Sequence, residues 1–209
     1  MSKAKERLAL IEAGKGKFSD DEPFVVAGAA QRRFYNKLFP QDLSLLSHTK
    51  QAWPVIKADG SVKNEIVKSV RAPFGMMGSS DDLTAALNTT VRGFLSTCAI
   101  TTETNFRVNA NGLQGIRWSS NINNPIGNSE GITIPCLLMG MTGSYEYLAA
   151  EEIYRHSAST DKTIAFVEGA SHNFTPDRDA EKYHRTSYGD TVKHLFDYVD
   201  RWLSSRFHP

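Results

Sequence analysis

The residue best placed to do chemistry is His172, in the segment GASHNFTP. Residues 163–169 (TIAFVEG) have the composition of a buried strand, and His172 lies three residues beyond Gly169. In open parallel sheets, ligands and catalytic groups gather just past the carboxyl ends of the strands. Histidine exchanges protons near neutral pH, so this position suits a general base. A surface loop histidine without a chemical role is the competing interpretation.

A histidine base needs a carboxylate that orients its ring, and three glutamates are candidates. Glu146 is preferred because it is the carboxylate nearest to the segment Gly140–Gly143 at the end of the apolar run, and it lies 26 residues before His172. Glu151 is the second candidate, although it lies in a segment of helical composition, where a carboxylate is more often solvated. Glu103 is a more distant third. The sequence leaves the choice among them open.

Acyl transfer also needs a nucleophile, and the only G-x-S-x-G match is GNSEG at residues 127–131, with Ser129 at its centre. A nucleophile elbow requires an apolar strand before it and a helix after it. Here a polar, turn-rich segment precedes the motif and an apolar strand-like run follows it. Ser129 is therefore interpreted as a loop serine. Without a nucleophile, a histidine and a carboxylate can orient water or move a proton, but the covalent step is lost.

The elements that must position His172 lie in the C-terminal part of the chain. Residues 132–141 (ITIPCLLMGM) form a nearly unbroken apolar run, which predicts a strand covered on both faces. Residues 148–157 are predicted to form a helix, residues 163–169 a second strand, and residues 190–205 an amphipathic helix. Strand, helix, strand and helix in this order predict adjacent parallel strands joined by a right-handed crossover.

The part of the chain before residue 128 is predicted to be largely helical. Helices are expected over residues 2–13, 27–39, 41–53 and 79–97, with Pro40 and Pro54 as breakers. Residues 106–118 instead predict a hairpin that turns at the Asn-Gly pair of residues 111–112. The two C-terminal strands alone would leave open edges. A missing partner, a self-paired dimer, or extra strands from residues 106–121 are therefore expected to cover them.

Residues 130–205 resemble the C-terminal part of the α/β-hydrolase family. The resemblance rests on IPCLLMGM, a helix, TIAFVEGASHNFTP and GDTVKHLFDYVDRWL in that order. It implies an α/β fold, with a partial hydrolase-like parallel sheet formed by residues 128–209. It also implies that residues 1–127 are a helical cap-like and connecting region.

The resemblance gives His172 the role of the triad histidine, and it assigns the acid to the loop after the penultimate strand. The family's G-x-x-D pattern reads Gly140-Met141-Thr142-Gly143 here, so its usual aspartate is missing. By the same resemblance, a cap pocket would hold the substrate, and the residues assigned to it are Phe106, Trp118 and Tyr145.

Composition describes an ordinary globular chain of 209 residues, with 40% hydrophobic residues and a net charge of +1. This balance carries no signal for nucleic acid or an acidic membrane. Neither a signal peptide nor a membrane span is expected, and a cytoplasmic location fits two unpaired cysteines. The remaining histidines lack metal-ligand spacing, so neither metal nor cofactor is predicted.

The leading functional expectation is a hydrolase that acts on an ester or other carbonyl small molecule. It would be an esterase-like serine hydrolase or part of a split or larger one, with an N-terminal hydrolase half or a second copy as possible partner. One alternative is a non-catalytic module that binds small molecules or proteins on a hydrolase-derived scaffold. The other is an isomerase or cyclase that uses non-covalent acid–base chemistry.

Overall fold

The computed structural model of the protein describes residues 2–13, 22–27, 40–74, 86–143 and 147–207. The strands in these ranges are β1 Pro23–Ala27, β2 His48–Ile56, β3 Val62–Lys68, β4 Ala86–Thr90, β5 Thr101–Asn109, β6 Gly112–Arg117, β7 Cys136–Met141 and β8 Lys162–Val167. The helices are α1 Ser2–Ala13, α2 Val91–Thr97, α3 Pro125–Asn128, α4 Tyr147–His156, α5 Arg178–His184 and α6 Thr191–Phe207. Single 3₁₀ turns occur at Trp118–Ser120, Ser129–Gly131 and His172–Phe174.

A four-stranded sheet of order β3-β2-β8-β7 forms the centre of the protein. β7 and β8 run parallel in unbroken register from Cys136 opposite Lys162 to Met141 opposite Val167. The predicted pair of adjacent parallel strands is thus confirmed. β7 begins later than expected, because Ile132 and Ile134 precede the strand and are 40% and 70% exposed.

Helices cover both faces of this sheet. Successive strand residues point to opposite faces. Val55 and Phe166 pack with Tyr147 and other residues of α4, whereas Ile56 and Val167 pack with Leu195 and Tyr198 of α6. The α/β class is therefore confirmed, with a mostly parallel sheet between two helical layers.

The helix predicted over residues 41–53 is wrong, because most of this segment belongs to turns and to β2. Residues 43–46 form turns, and β2 then pairs with β3 antiparallel and with β8 parallel. Pro54 is tolerated because its partner is Asn64 of β3, and the pairing with β8 starts only at Val55. The short apolar runs of this segment have neither a helical nor a strand period, so local pattern does not distinguish helix from strand. Pairing with distant strands makes the segment a strand.

The helix predicted over residues 79–97 is also corrected in part. Residues 86–90 form β4, which pairs antiparallel with β1, and only residues 91–97 are helical. Thr90 ends the strand and caps the helix, because its side chain accepts a hydrogen bond from Gly93 N at 3.1 Å. Residues 79–85 lie outside the described ranges.

Residues 1–127 are therefore not a helical cap in the ranges that are described. They contain β1 to β6, alongside α1, which confirms the first predicted helix, and α2 and the start of α3. Of the helix predicted at residues 27–39, Ala27 instead ends β1, and residues 28–39 lie outside the described ranges.

The predicted hairpin is confirmed as β5–β6, with Asn109 opposite Gly112. It forms a separate two-stranded sheet, so the expectation that residues 106–121 extend the central sheet is wrong. β2 and β3 extend it instead, on the far side of β8. None of the helices in the described ranges combines the length and the apolar character that crossing a bilayer would require.

Candidate functional site

His172 lies at the edge of the sheet where the parallel strands β2, β7 and β8 end. β8 ends at Val167, and the chain then reaches a single 3₁₀ turn whose first residue is His172. The His172 residue is exposed. This is the position predicted from the sequence, just past the carboxyl end of an interior parallel strand.

The loop that carries His172 (the His172 loop, residues 170–176) is tied at its base. Ala170 and Pro176 form an isolated β-bridge, and Ser171 N donates to Thr175 O at 2.7 Å. From outside the loop, Thr191 Oγ1 at the start of α6 donates to Phe174 O at 2.6 Å. These contacts close the loop at its base and restrain its backbone.

The tip of the His172 loop has unusual backbone geometry. Asn173 and Phe174 have φ values of 63° and 60°, in the left-handed region. Asparagine tolerates this region, but for a bulky side chain such as phenylalanine it is an outlier with a free-energy cost. Strained backbone persists only where surrounding contacts impose it, and it concentrates at functional sites. The sequence carried no signal of this strain.

Gly169 connects β8 to the His172 loop and cannot carry a side chain. Its φ is +70°, and a Cβ atom built there would lie 1.8 Å from the ring of Tyr188. Tyr188 is 6% exposed. Burial, with smaller contributions from Glu168 and other nearby charges, raises the pKa of Tyr188 to about 12. The ring of Tyr188 therefore buttresses the start of the loop as a neutral phenol.

Asp177 is a carboxylate at this edge that the sequence analysis did not single out. Its Oδ1 accepts hydrogen bonds from Asp179 N and Ala180 N at 3.1 and 2.9 Å, so it caps α5. A Cβ atom on Gly143, just past β7, would lie 2.8 Å from Asp177 Oδ2. Burial raises the pKa of Asp177 against the opposing effect of the Ala180 amide. The sequence feature that could have identified Asp177 is its position directly before a helix whose first turn is acidic.

Of the predicted carboxylates, Glu151 has a different task from orienting His172. It is 1% exposed and sits inside α4. Its carboxylate accepts hydrogen bonds from Lys50 N, Gln51 N and the Trp53 indole, all in β2. Glu151 therefore holds β2 against α4. The interpretation as a solvated helix carboxylate is also wrong, because the residue is buried.

The remaining candidates for the carboxylate partner of His172 are Glu146 and Glu103. Glu146, the preferred partner of His172, lies outside the described residues, so its role stays a prediction. Glu103 is on β5, and Arg117 Nη2 of β6 donates to its Oε2 at 3.1 Å. That hydrogen bond lowers the pKa of Glu103. Glu103 thus belongs to the solvated face of the hairpin.

Ser129 is confirmed as structural. It is 1% exposed, and its Oγ donates to Ile126 O at 2.7 Å, at the C-terminal end of α3. A buried hydroxyl with a backbone acceptor is not presented to a substrate. The element order around it, a one-turn helix followed by a strand, is the reverse of a nucleophile elbow.

The predicted substrate-binding aromatics do not gather at the His172 edge within the described ranges. Phe106 is on β5 and is 46% exposed. Trp118 is half-buried, and its backbone packs against Gly127, where a Cβ atom would lie 2.5 Å from Trp118 O. Tyr145 lies outside the described residues.

Three residues missed by the sequence analysis meet in a cavity of about 420 Å³ at the edge where the parallel strands end. Lys57 follows the last residue of β2, Thr142 follows that of β7, and Glu168 follows that of β8. Thr142 Oγ1 accepts a 2.8 Å hydrogen bond from Gly169 N, which joins the ends of β7 and β8. Thr142 and Glu168 could have been found as polar residues directly after apolar strands. Lys57 could not, because β2 was predicted to be helical.

No group of three or more His, Cys, Asp and Glu side chains in the described ranges is arranged to hold a metal ion. Comparison of the chain with protein-family models, with curated proteins and with solved structures found no match.

Proposed function

We propose that the protein is an esterase-like hydrolase of the α/β-hydrolase type that is active by itself, and that His172 is its general base. The substrate would be an ester or another small carbonyl compound. The observation that carries the proposal is the placement of an exposed histidine on a tied, strained loop past the end of β8. Such loops on rigid strands are where catalytic residues concentrate.

The loop geometry supports a positioned imidazole. The bridge of Ala170 to Pro176 limits movement at the base, and the hydrogen bond from Thr191 restrains the strained tip. A general base contributes to the rate only when it is held within hydrogen-bond reach of the proton that it accepts. The energetic cost of left-handed backbone at Phe174 is accounted for if the loop is maintained for this purpose.

The nucleophile in this proposal is a serine from outside the described residues or a water molecule. Ser129 does not serve, because its hydroxyl is buried and bonded to Ile126 O. In either case His172 would accept the proton of the attacking hydroxyl and return it to the leaving group. Glu146 remains the proposed orienting carboxylate.

The experiment is hydrolysis of p-nitrophenyl acetate by the purified chain, together with labelling by a fluorophosphonate probe. We expect turnover, and His172→Ala should lower it at least about 100-fold, the usual contribution of a general base. His156→Ala is the matched control, because His156 ends α4 at the opposite edge of the sheet. Labelling at a serine would identify serine as the nucleophile, and turnover without labelling would identify water.

Two outcomes would contradict the proposal. The first is the absence of turnover by the unmodified chain. The second is a His172→Ala variant that hydrolyses the ester as fast as the His156→Ala control.

A further inference from the structure

The outer side of β7 is an open edge of the central sheet. β7 is the last strand in the order β3-β2-β8-β7, so among the described strands it pairs only with β8. The last four residues of β8 are buried, whereas the leucines and methionines of β7 are only half-buried. Two strands of similar apolar composition differ in this way because β8 has a strand on each side and β7 does not.

Three residues of β7 direct their main-chain groups to this edge: Leu137, Met139 and Met141. In a parallel pair, alternate residues of one strand bond to the same neighbour. Cys136 N donates to Asp161 O at 3.0 Å and Thr142 N donates to Val167 O at 3.2 Å, so the even-numbered residues of this segment bond to β8. The N–H and C=O groups of the odd-numbered residues therefore point away from β8, and no described residue bonds to them.

The two edges of the sheet differ in how they are protected. The other edge strand, β3, carries Lys63, Glu65 and Lys68, and charges on an edge strand discourage pairing with another chain. β7 (CLLMGM) has no charged residue and no proline, and its register with β8 is free of bulges. A straight apolar edge of this kind is a template for another strand.

Apolar side chains of α6 lie beside the same edge. His194 Nε2 donates to Ala58 O at 3.1 Å, so this flank of α6 faces the β2 side of the sheet. Phe196 is two positions farther along, about 200° round the helix, and therefore lies on the opposite flank, on the β7 side. Leu203 follows Phe196 by seven positions and lies on the same line. Their exposed fractions are 62% and 43%.

We propose that two copies of the chain form a two-fold dimer through the outer edges of β7. An axis perpendicular to the sheet at Met139 pairs Met139 with its counterpart, and Leu137 with Met141 of the second copy. Each N–H at the edge then faces a C=O, with two hydrogen bonds for each residue pair. The partial charges of the edge are therefore complementary to those of a second copy, and the two four-stranded sheets become one.

The same axis brings the two α6 helices together on one face of the joined sheet. α6 contacts both β7 and β8, and neighbouring strands lie about 4.8 Å apart. Helices centred over these two strand pairs are about 10 Å apart across the axis, which is the spacing of packed helices. Phe196 and Leu203 of both copies then lie between the helices, where their exposed apolar surface is covered.

The size of the interface is sufficient for a dimer of moderate affinity. α6 has 17 residues and is about 25 Å long. A sheet layer and a helix layer are together about 20 Å deep. Each copy thus contributes about 500 Å², which brings the total to about 1,000 Å², at the lower end of specific interfaces. The interface does not use His172, so it is independent of ester hydrolysis.

The test is sedimentation equilibrium of the full chain at concentrations from about 1 to about 300 µM, the range suited to a micromolar dissociation constant. We expect the mass to rise with concentration from the 23.2 kDa of one chain toward twice that value. Amide hydrogen exchange followed by NMR identifies the surface. The amides of Leu137, Met139 and Met141 should exchange more slowly as the dimer forms, because each becomes hydrogen-bonded.

Met139→Pro and Met139→Ala form a matched pair for the strand edge. Both lose the methionine side chain, but only proline lacks the N–H group. The pairing of β7 with β8 does not use this N–H, so both variants should stay folded, which circular dichroism and thermal melts establish. We expect the dissociation constant of the proline variant to be at least about tenfold higher than that of the alanine variant, because the two-fold axis doubles each lost hydrogen bond.

Leu203→Glu tests the helix contact. The axis would bring two carboxylates close together between the helices, so the dissociation constant should rise at least about tenfold. Leu10→Glu is the matched control, because Leu10 is a 55% exposed leucine of α1, which packs against α2. This control should leave the dissociation constant unchanged.

A chain that stays monomeric at every concentration would overturn the proposal. A dimer whose three edge amides exchange as fast as in the monomer would overturn it as well, because the copies would then meet through another surface. Equal dissociation constants for Met139→Pro and Met139→Ala would exclude the edge of β7 as the interface.

Discussion

The indole Nε1 of Trp53 donates a 2.8 Å hydrogen bond to Oε1 of Glu151, a carboxylate that is 1% exposed. The same carboxylate accepts from Lys50 N at 2.9 Å and Gln51 N at 3.2 Å. One buried side chain of α4 therefore satisfies three donors of β2. Because Lys57 directly follows β2 and lines the cavity, this contact positions Lys57 as well as the strand.

Replacing Glu151 with glutamine should destabilise the protein strongly. An amide offers a single carbonyl oxygen, and its NH₂ group would face donors, so at least one buried donor would lose its partner. We expect the free energy of unfolding in urea to fall by about 3 kcal/mol. Glu130→Gln is the control, since Glu130 is exposed. Equal stabilities of the two variants would show that Glu151 does not hold β2.

Adding a methyl group at Gly169 should disrupt the start of the His172 loop. The Cβ atom would overlap the Tyr188 ring, and the φ of +70° disfavours alanine independently. We expect Gly169→Ala to lower the free energy of unfolding by at least about 2 kcal/mol. Gly131→Ala is the matched control, because a Cβ atom on Gly131 would point into open space, with no neighbouring atom within 4 Å. In a double-mutant cycle, Tyr188→Ala should relieve part of the cost, and strict additivity would rule out the clash.

Substitution of Asn173 tests the strain at the tip of the loop. Valine, which is β-branched, fits a φ of 63° poorly, whereas asparagine tolerates it. Asn173→Val should therefore cost about 1–2 kcal/mol in urea unfolding. The same change at Asn64, an exposed position in β3, should have little effect, because extended backbone suits valine. A neutral Asn173→Val would mean that the left-handed geometry is not maintained in solution.

Asp177 should make stability depend on pH in a defined direction. Its folded pKa is raised above the ordinary value of 3.8, so the folded state favours the protonated carboxyl. Its contribution is fully present below pH 3.8 and is lost as pH rises through the higher folded pKa. Asp177→Asn keeps the Oδ1 acceptor that caps α5 and removes the buried charge, so it should be more stable than the parent chain at pH 7.

Urea unfolding at pH 7 and at about pH 3.5 measures this difference, which should shrink at the lower pH. Asp177→Ala is the control for the cap, and it should cost about 1 kcal/mol at pH 7 because two amides lose their acceptor. An Asn variant less stable than the parent at pH 7 would contradict the direction assigned to the pKa of Asp177.

Elements with a long and regular apolar pattern could be predicted without the structure. β7, β8, α4 and α6 follow from unbroken apolar runs and from helical periodicity, and the Asn-Gly pair determined the β5–β6 turn. The position of His172 past β8 was predicted for the same reason, because only the ending of one strand had to be located. Local steric preference and burial pattern are sufficient for such features.

The role of β2, and of the residues that it positions, follows from contacts between segments that are distant in the sequence. Residues 48–56 have mixed local preferences, and their strand conformation comes from pairing with β3 and β8 and from the distant carboxylate of Glu151. The cavity joins Lys57, Thr142 and Glu168 because three parallel strands end at one edge, a relationship that no local pattern contains. Buried charges and backbone strain are likewise properties of surroundings that are distant in sequence, and these surroundings exist only once the chain has folded.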